Sequence, residues 1–143
     1  VGRIRRHSVL TIYLAGSWTQ KSAVRYARGK FQAVGIKVQS DWIDSPDEVG
    51  HAELRASAYR DLQQLYGADA LVIMSVEKSE GKASEFMFAY CNKKPIVVIG
   101  NHDLNIFYHL DNVTLVNTIQ EAIDSLHQLV EVKLDALRHG IPA

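Results

Sequence analysis

Residues 68–100 read ADALVIMSVEKSEGKASEFMFAYCNKKPIVVIG, and the fold turns on this stretch. ADALVIMS and PIVVIG are nearly unbroken apolar runs, the pattern of strands covered on both faces as in a parallel sheet. Between them Glu77 to Gly81 is a polar break, after which Ala83, Phe86, Met87 and Tyr90 mark a helix running to about Asn92. Strand, helix and strand in that order make a parallel crossover. Pro95 stands at the opening of the second strand, where its missing N–H is tolerated.

The same alternation extends outward. Val9 to Ala15 (VLTIYLA) reads as a buried strand ended by Gly16 and Ser17. From Gln20 to Ala33 the residues Ala23, Val24, Ala27 and Phe31 recur at helical steps, and Gly35 stops the helix. Ile36 to Gln39 is a short strand, and Ser40 to Gly50 (SDWIDSPDEVG) an acidic loop. His51 to Tyr66 is a helix whose stripe of Leu54, Ala58, Leu62 and Leu65 is expected to face the core, with Gly67 as its stop. Val113 to Val116 suits a short edge strand, and Thr118 caps a helix to about Leu137. Residues 101–110 carry no legible period. The expected fold is α/β: one domain over 9–137, a mostly parallel five-stranded sheet flanked by helices in Rossmann-like, flavodoxin-like layering. A flexible arm is expected over 1–8 and a tail over 138–143.

Composition narrows the function. The 143 residues are 47% hydrophobic and 22% charged, enough for one core. Sixteen Lys plus Arg balance sixteen Asp plus Glu, so no global field draws the chain to a polymeric nucleic acid or a membrane, and neither partner is expected. The one cysteine, Cys91, forms no intramolecular disulfide, which fits a reducing, cytoplasmic setting. No apolar run approaches the roughly 20 residues of a membrane span. A GxxxxGK[ST] loop, a dinucleotide fingerprint and an HExxH pair are all missing, so no cofactor and no metal is expected.

Open α/β sheets bind ligands beyond the carboxyl ends of their strands, which nominates Gly16–Gln20, Asp41–Gly50, Ser75–Gly81 and Gly100–Asp103. Within SEGKASEF, Glu80 and Glu85 are five residues apart. With Gly81 opening the helix, Glu80 belongs to the entry loop and Glu85 to the second turn, and a bend aims both at one pocket; otherwise they are a capping acid and a solvent-facing one. Asp61 and Asp69 are a second carboxylate pair, or an ion-pair member and an element-boundary residue. Trp18 and Trp42 follow strands closely and either stack on a ligand's base or pack the rim. Asp47 and His51 border the long loop and either touch ligand or cap it. Tyr13 is a pocket floor or ordinary core.

Taken together, IYLAGSW, YRDLQQLYGAD, ALVIMS and SEGKASEFMFAYCNKKPIVV resemble, over residues 10–99, the nucleoside 2-deoxyribosyltransferase family, including its relatives that hydrolyse nucleoside 5′-monophosphates. The resemblance implies that Glu85 is a nucleophile at C1′ of the sugar, that Asp61 contacts or protonates the leaving base, and that Glu80 supplies a second acid or orients the leaving group. Substrate contacts are expected, from the resemblance and from their places at the strand ends and loops together, of Tyr13, Gly16, Ser17, Trp18, Asp41, Trp42, Asp47, His51, Ser79, Gly81 and Ser84. A 5′-phosphate would be received by Ser17, Arg25, Ser79, Lys82 and Ser84. Ser17 stands where the family usually has proline, and Met87 where it has a small residue. The implied reaction cleaves an N-glycosidic bond through a covalent glycosyl intermediate, with hydrolysis placed ahead of base exchange. The other reading is a noncatalytic nucleotide-binding module. A homodimer or larger homo-oligomer is also implied, and the final helix, with Leu126, Leu129, Val130, Val132, Leu134 and Leu137, offers an apolar surface for core or interface.

Overall fold

The computed structural model describes residues 9–46, 50–138 and 140, and only the backbone of 130 and 132–137. The expected arm over 1–8, Asp47, and residues 139 and 141–143 of the expected tail lie outside the described residues. Five strands, β1 (Thr11–Ala15), β2 (Lys37–Val38), β3 (Ala70–Ser75), β4 (Ile96–Gly100) and β5 (Val113–Val116), form one sheet in the order β2-β1-β3-β4-β5. Every described pairing is parallel, where the sequence promised only a mostly parallel sheet. Four α-helices cover it: α1 (Lys21–Ala33), α2 (His51–Gly67), α3 (Glu80–Cys91) and α4 (Ile119–Arg138). α1 packs with α4 on one face, and α2 with α3 on the other.

Ile12, Leu14, Leu71, Val72, Ile73 and Val98 have no exposed surface, so alternate side chains of one strand are buried on opposite faces. From β1 the chain moves out to β2 and then returns past β1 to β3. The order therefore reverses between β1 and β3, and a crevice opens beyond their carboxyl ends.

Two expectations need correction. First, α3 begins at Glu80 rather than at Gly81, because Ser79 caps it: the Ser79 hydroxyl accepts the Lys82 N–H at 3.3 Å. Glu80 is thus the first helical residue and not part of the entry loop. Second, of the α2 stripe only Leu65 is buried, while Leu54 and Leu62 are 53% and 41% exposed. α2 rests on β1, α3 and a 3-10 turn at Asp41–Asp44, and its remaining apolar residues face the crevice or solvent. The β4–β5 crossover, over which the sequence carries no legible period, holds two 3-10 turns, His102–Leu104 and Ile106–His109. Asn101 and Asn105 open them by accepting the N–H two residues on at 3.0 and 2.9 Å, and Tyr108 packs its ring 5.3 Å from Phe86.

Thr118 caps α4 as expected, its hydroxyl accepting the Glu121 N–H at 3.1 Å. Leu126 is buried and Leu129 packs against the core; the side chains of Val130, Val132, Leu134 and Leu137 lie outside the described residues.

Gly100 ends β4 at φ +106, and a Cβ there would sit 2.7 Å from the Ser75 carbonyl oxygen of the neighbouring strand. Gly100→Ala combines backbone strain with overpacking and is expected to destabilise by about 2–4 kcal/mol in urea unfolding. A loss below ~1 kcal/mol would show that the strand end relaxes freely.

Candidate active site

β1 places Tyr13 under the α2–α3 layer, and its hydroxyl donates a 2.6 Å hydrogen bond to Oε2 of Glu85 in the second turn of α3. Asp61, partly buried on α2, lines the same cavity. This cavity has a volume of about 390 Å³. Ala58, Asp61 and Leu62 wall it on the α2 side, and Ser79, Gly81, Lys82, Ser84 and Glu85 on the α3 side.

The third wall comes from the turns after β1 and β2. Gly16 lines the cavity where β1 passes into α1, and a Cβ at this position would meet Val24 Cγ2 at 2.6 Å, so the close approach requires glycine. β2 is only two residues long, so Leu14 extends past it, and side chains replace the missing ladder: the Ser40 hydroxyl accepts the Leu14 N–H at 2.7 Å, and the Trp42 indole N–H donates to its carbonyl at 2.8 Å. That bond fixes Trp42 beside Trp18, with centroids 6.4 Å apart and planes 29° apart. The Lys21 ammonium lies 3.6 Å from the Trp18 ring centroid and donates to the Ser45 carbonyl. Two indoles thus give the cavity a flat aromatic side.

Burial raises the carboxyl pKa of Glu85 to about 7; the Tyr13 hydroxyl opposes this, the Asp61 charge adds to it, and the Lys82 charge opposes it. Asp61 is raised to about 6, first by burial, against Arg60 and with Asp41. Burial, followed by the charges of Glu85 and Asp61, pushes the Tyr13 phenol up, so it stays a donor. The site therefore holds two carboxyls that exchange protons near neutrality, and their titration belongs to the pair. Burial leaves Glu85 the higher of the two, and the Tyr13 hydroxyl, by favouring its negative charge, raises the share of the form that carries the proton on Asp61.

The other sequence candidates fall at varied distances from this centre. Glu80 is exposed and lines a separate cavity of about 300 Å³ with Glu77, Asn105 and Tyr108, so Glu80 and Glu85 do not converge. Ser79 borders both cavities. Ser84 is at the mouth, its hydroxyl donating to the Glu80 carbonyl at 2.9 Å. Lys82 is buried, its ammonium turned to the carbonyls of Met74 and Glu77. Asp41 is exposed, and its N–H donates to Gln64 Oε1 at 3.0 Å. His51 is exposed at the first residue of α2. The Ser17 hydroxyl is buried with no hydrogen-bond partner among the described residues. Arg25 lies beyond Trp18 in a depression shared with Thr19, Lys21 and Ser22, donating to the Ile43 carbonyl at 3.2 Å with Asp44 at 3.8 Å. Asp69 is at the opposite end of the sheet, where Oδ2 accepts the Thr11 N–H at 2.9 Å.

Sequence reasoning missed Ala58 and Leu62 as cavity wall, because an i, i+4 apolar pair on a helix reads as core. It also missed the hydrogen bond from the Thr19 hydroxyl to Glu77, which joins the turns after β1 and β3 and has no local signal. Among the described residues no group of His, Cys, Asp and Glu is arranged to hold a metal ion, and no helix is long and apolar enough to cross a membrane.

No family model and no curated protein sequence matches the chain. Solved structures do. A 2-deoxyribosyltransferase from the psychrotolerant bacterium Bacillus psychrosaccharolyticus matches with a TM-score of 0.66 at 18% identity, over 81% of this chain and 95% of that one. The CMP N-glycosidase BcmB of Clostridium botulinum matches with a TM-score of 0.55 at 14% identity, over 81% of this chain and 97% of that one. The likeness is one of fold, and the neighbours are of the two kinds that the sequence resemblance names.

Proposed function

We propose that this chain is an enzyme that cleaves the N-glycosidic bond of a nucleoside or nucleoside 5′-monophosphate through a glycosyl ester on Glu85, with water as the favoured acceptor. The observation that carries the reading is the Tyr13–Glu85 hydrogen bond at 2.6 Å inside a cavity that also holds Asp61. The Glu85 carboxylate attacks C1′ as the C1′–N bond breaks, and the bonding pair leaves with the base. Positive charge develops at C1′ and the ring oxygen, which a carboxylate at that position stabilises. Asp61 gives its proton to the departing base, then takes one from the water that opens the ester. Trp18 and Trp42 supply a stacking surface for the base.

Two features favour catalysis over binding alone. Glu85 faces the cavity rather than solvent, and Met87 is not among the described residues that line it. Phosphate recognition is assigned to the hydroxyls of Ser79 and Ser84 at the start of α3, whose N-terminal end favours an anion. The Lys82 ammonium and the Arg25 guanidinium are engaged with main-chain carbonyls. A cytoplasmic location and a homodimer or larger homo-oligomer belong to the same proposal. The exposed Leu54, Tyr59, Leu62 and Tyr66 of α2 offer a surface for self-association.

The test is product-resolved turnover of ribo- and deoxyribonucleosides and their 5′-monophosphates, with and without added base. Sugar or sugar phosphate with free base supports hydrolysis; a new nucleoside formed only with an acceptor selects base exchange. Saturable binding with no turnover of any substrate overturns the enzyme reading.

The singly protonated carboxyl pair is the working form, so the rate should peak between about 6 and 7, the values toward which the two groups are raised. Tyr13→Phe removes a donor that lowers the Glu85 pKa, and the acidic limb of the profile should move to higher pH, with about a tenfold loss of rate at its foot. An unmoved limb would show that Tyr13 only packs.

A further inference from the structure

Lys82 is a buried charge that the reaction above does not use. Only 2% of its surface is exposed, against 7% for Lys21. Burying an ammonium is costly unless acceptors replace its water. Here the acceptors are the main-chain carbonyls of Met74, at 3.4 Å, and Glu77. Both carbonyls belong to the end of β3 and the turn that leads into α3, so the side chain folds that turn back onto the helix it precedes. Ser79 closes the same turn from the other side by accepting the Lys82 N–H at 3.3 Å. The Glu77 side chain accepts from the Thr19 hydroxyl, which extends the tie to the turn after β1.

Lys82 and Glu85 are three residues apart on α3, on one helix face, and both line the 390 Å³ cavity. Facing Glu85 from the other elements are Tyr13 on β1 and Asp61 on α2, the latter flanked by Arg60 and by Asp41 of the 41–44 turn. Tyr13 is neutral and Asp61 is acidic. Among the described residues that act on Glu85, Lys82 is therefore the one that supplies positive charge.

We infer that Lys82 is a positioning residue with two joined tasks: its carbonyl bonds fix the turn that starts α3, and its buried charge, on the same helix face, favours the charged form of Glu85. Burial lowers the affinity of the ammonium for its proton, and the charges of Glu77 and Glu85 oppose that loss without cancelling it, so the dependence is mutual. The inference rests on the proposed function for its link to turnover, and its test does not.

The experiment follows the Glu85 side-chain carboxyl by carbon-13 NMR across a pH series in the full chain, with Glu85→Gln identifying the signal. In Lys82→Met and Lys82→Gln the Glu85 midpoint should rise by about one unit, so the ionised fraction falls about tenfold on the acid side. With a substrate in hand, kcat below the midpoint should fall about tenfold while KM stays within about twofold. A purely structural lysine would lower stability and leave the midpoint in place, and an unmoved midpoint in either folded variant overturns the inference. Should neither variant fold, the nitrogen-15 titration of the Lys82 ammonium in the wild type and in Glu85→Gln decides it. Loss of the Glu85 charge must then lower the Lys82 midpoint, and no change overturns the inference. A shifted midpoint in a protein that turns over no nucleoside would separate the two proposals, leaving this one standing.

Discussion

Glu85→Gln is expected to abolish turnover, by about 10⁴-fold or more, while retaining the fold and saturable ligand binding. The amide keeps the shape of the side chain and still accepts from Tyr13, so what disappears is the anion that bonds to C1′. Burial sets a second expectation for the same variant. The folded protein holds the Glu85 proton up to about pH 7, while an unfolded glutamate releases it near its ordinary value of 4.5. Between those values the native state binds more protons, so stability falls as pH rises through the window and the loss is complete above about 7. Glu85→Gln lacks this penalty. It should be more stable than the wild type at pH 8, by roughly 1–3 kcal/mol, with the difference vanishing below about pH 4.5. Chemical denaturation at the two pH values measures this. A variant less stable at pH 8 would show that the carboxylate is satisfied where it lies, contrary to the electrostatics of the site.

Asp61→Asn is expected to lower turnover by about 10²–10³-fold, the range of a single general acid. The loss should depend on the base: a poor leaving group needs the proton most, so the deficit grows as the base becomes harder to expel. The alkaline limb of the rate profile, which follows loss of the Asp61 proton, should flatten. A uniform loss across all bases, with the limb intact, would assign Asp61 to binding.

The two strands that bracket α3 were plain in the sequence because a strand buried on both faces carries an unbroken apolar run, as ALVIMS and IVVIG do. The β4–β5 crossover was not, because asparagine-opened 3-10 turns leave no period to read. Within the site, Glu85 and Asp61 came from a resemblance in residue order, and the convergence of their elements on the crevice follows from parallel topology. Their separation from Glu80 was not legible. It depends on where α3 begins, and the Ser79 cap moves that start so that Glu80 turns toward Asn105 and Tyr108. The α2 stripe misled for a related reason: helical periodicity reports an apolar face and says nothing about whether sheet, cavity or a partner meets it. The resemblance placed Lys82 among the groups that would receive a 5′-phosphate, and nothing local announces the two carbonyls toward which its ammonium turns.

The central claim is a covalent bond between Glu85 and the sugar. It is tested most directly by rapid acid quench during turnover of the best substrate of the nucleoside and nucleotide panel, followed by intact mass and peptide mapping. The account predicts free base in the quench together with one added pentosyl or pentosyl-phosphate unit on the peptide that contains Glu85, absent from Glu85→Gln. Base release by Glu85→Gln at the wild-type rate, with no adduct on that peptide in either protein, would contradict it.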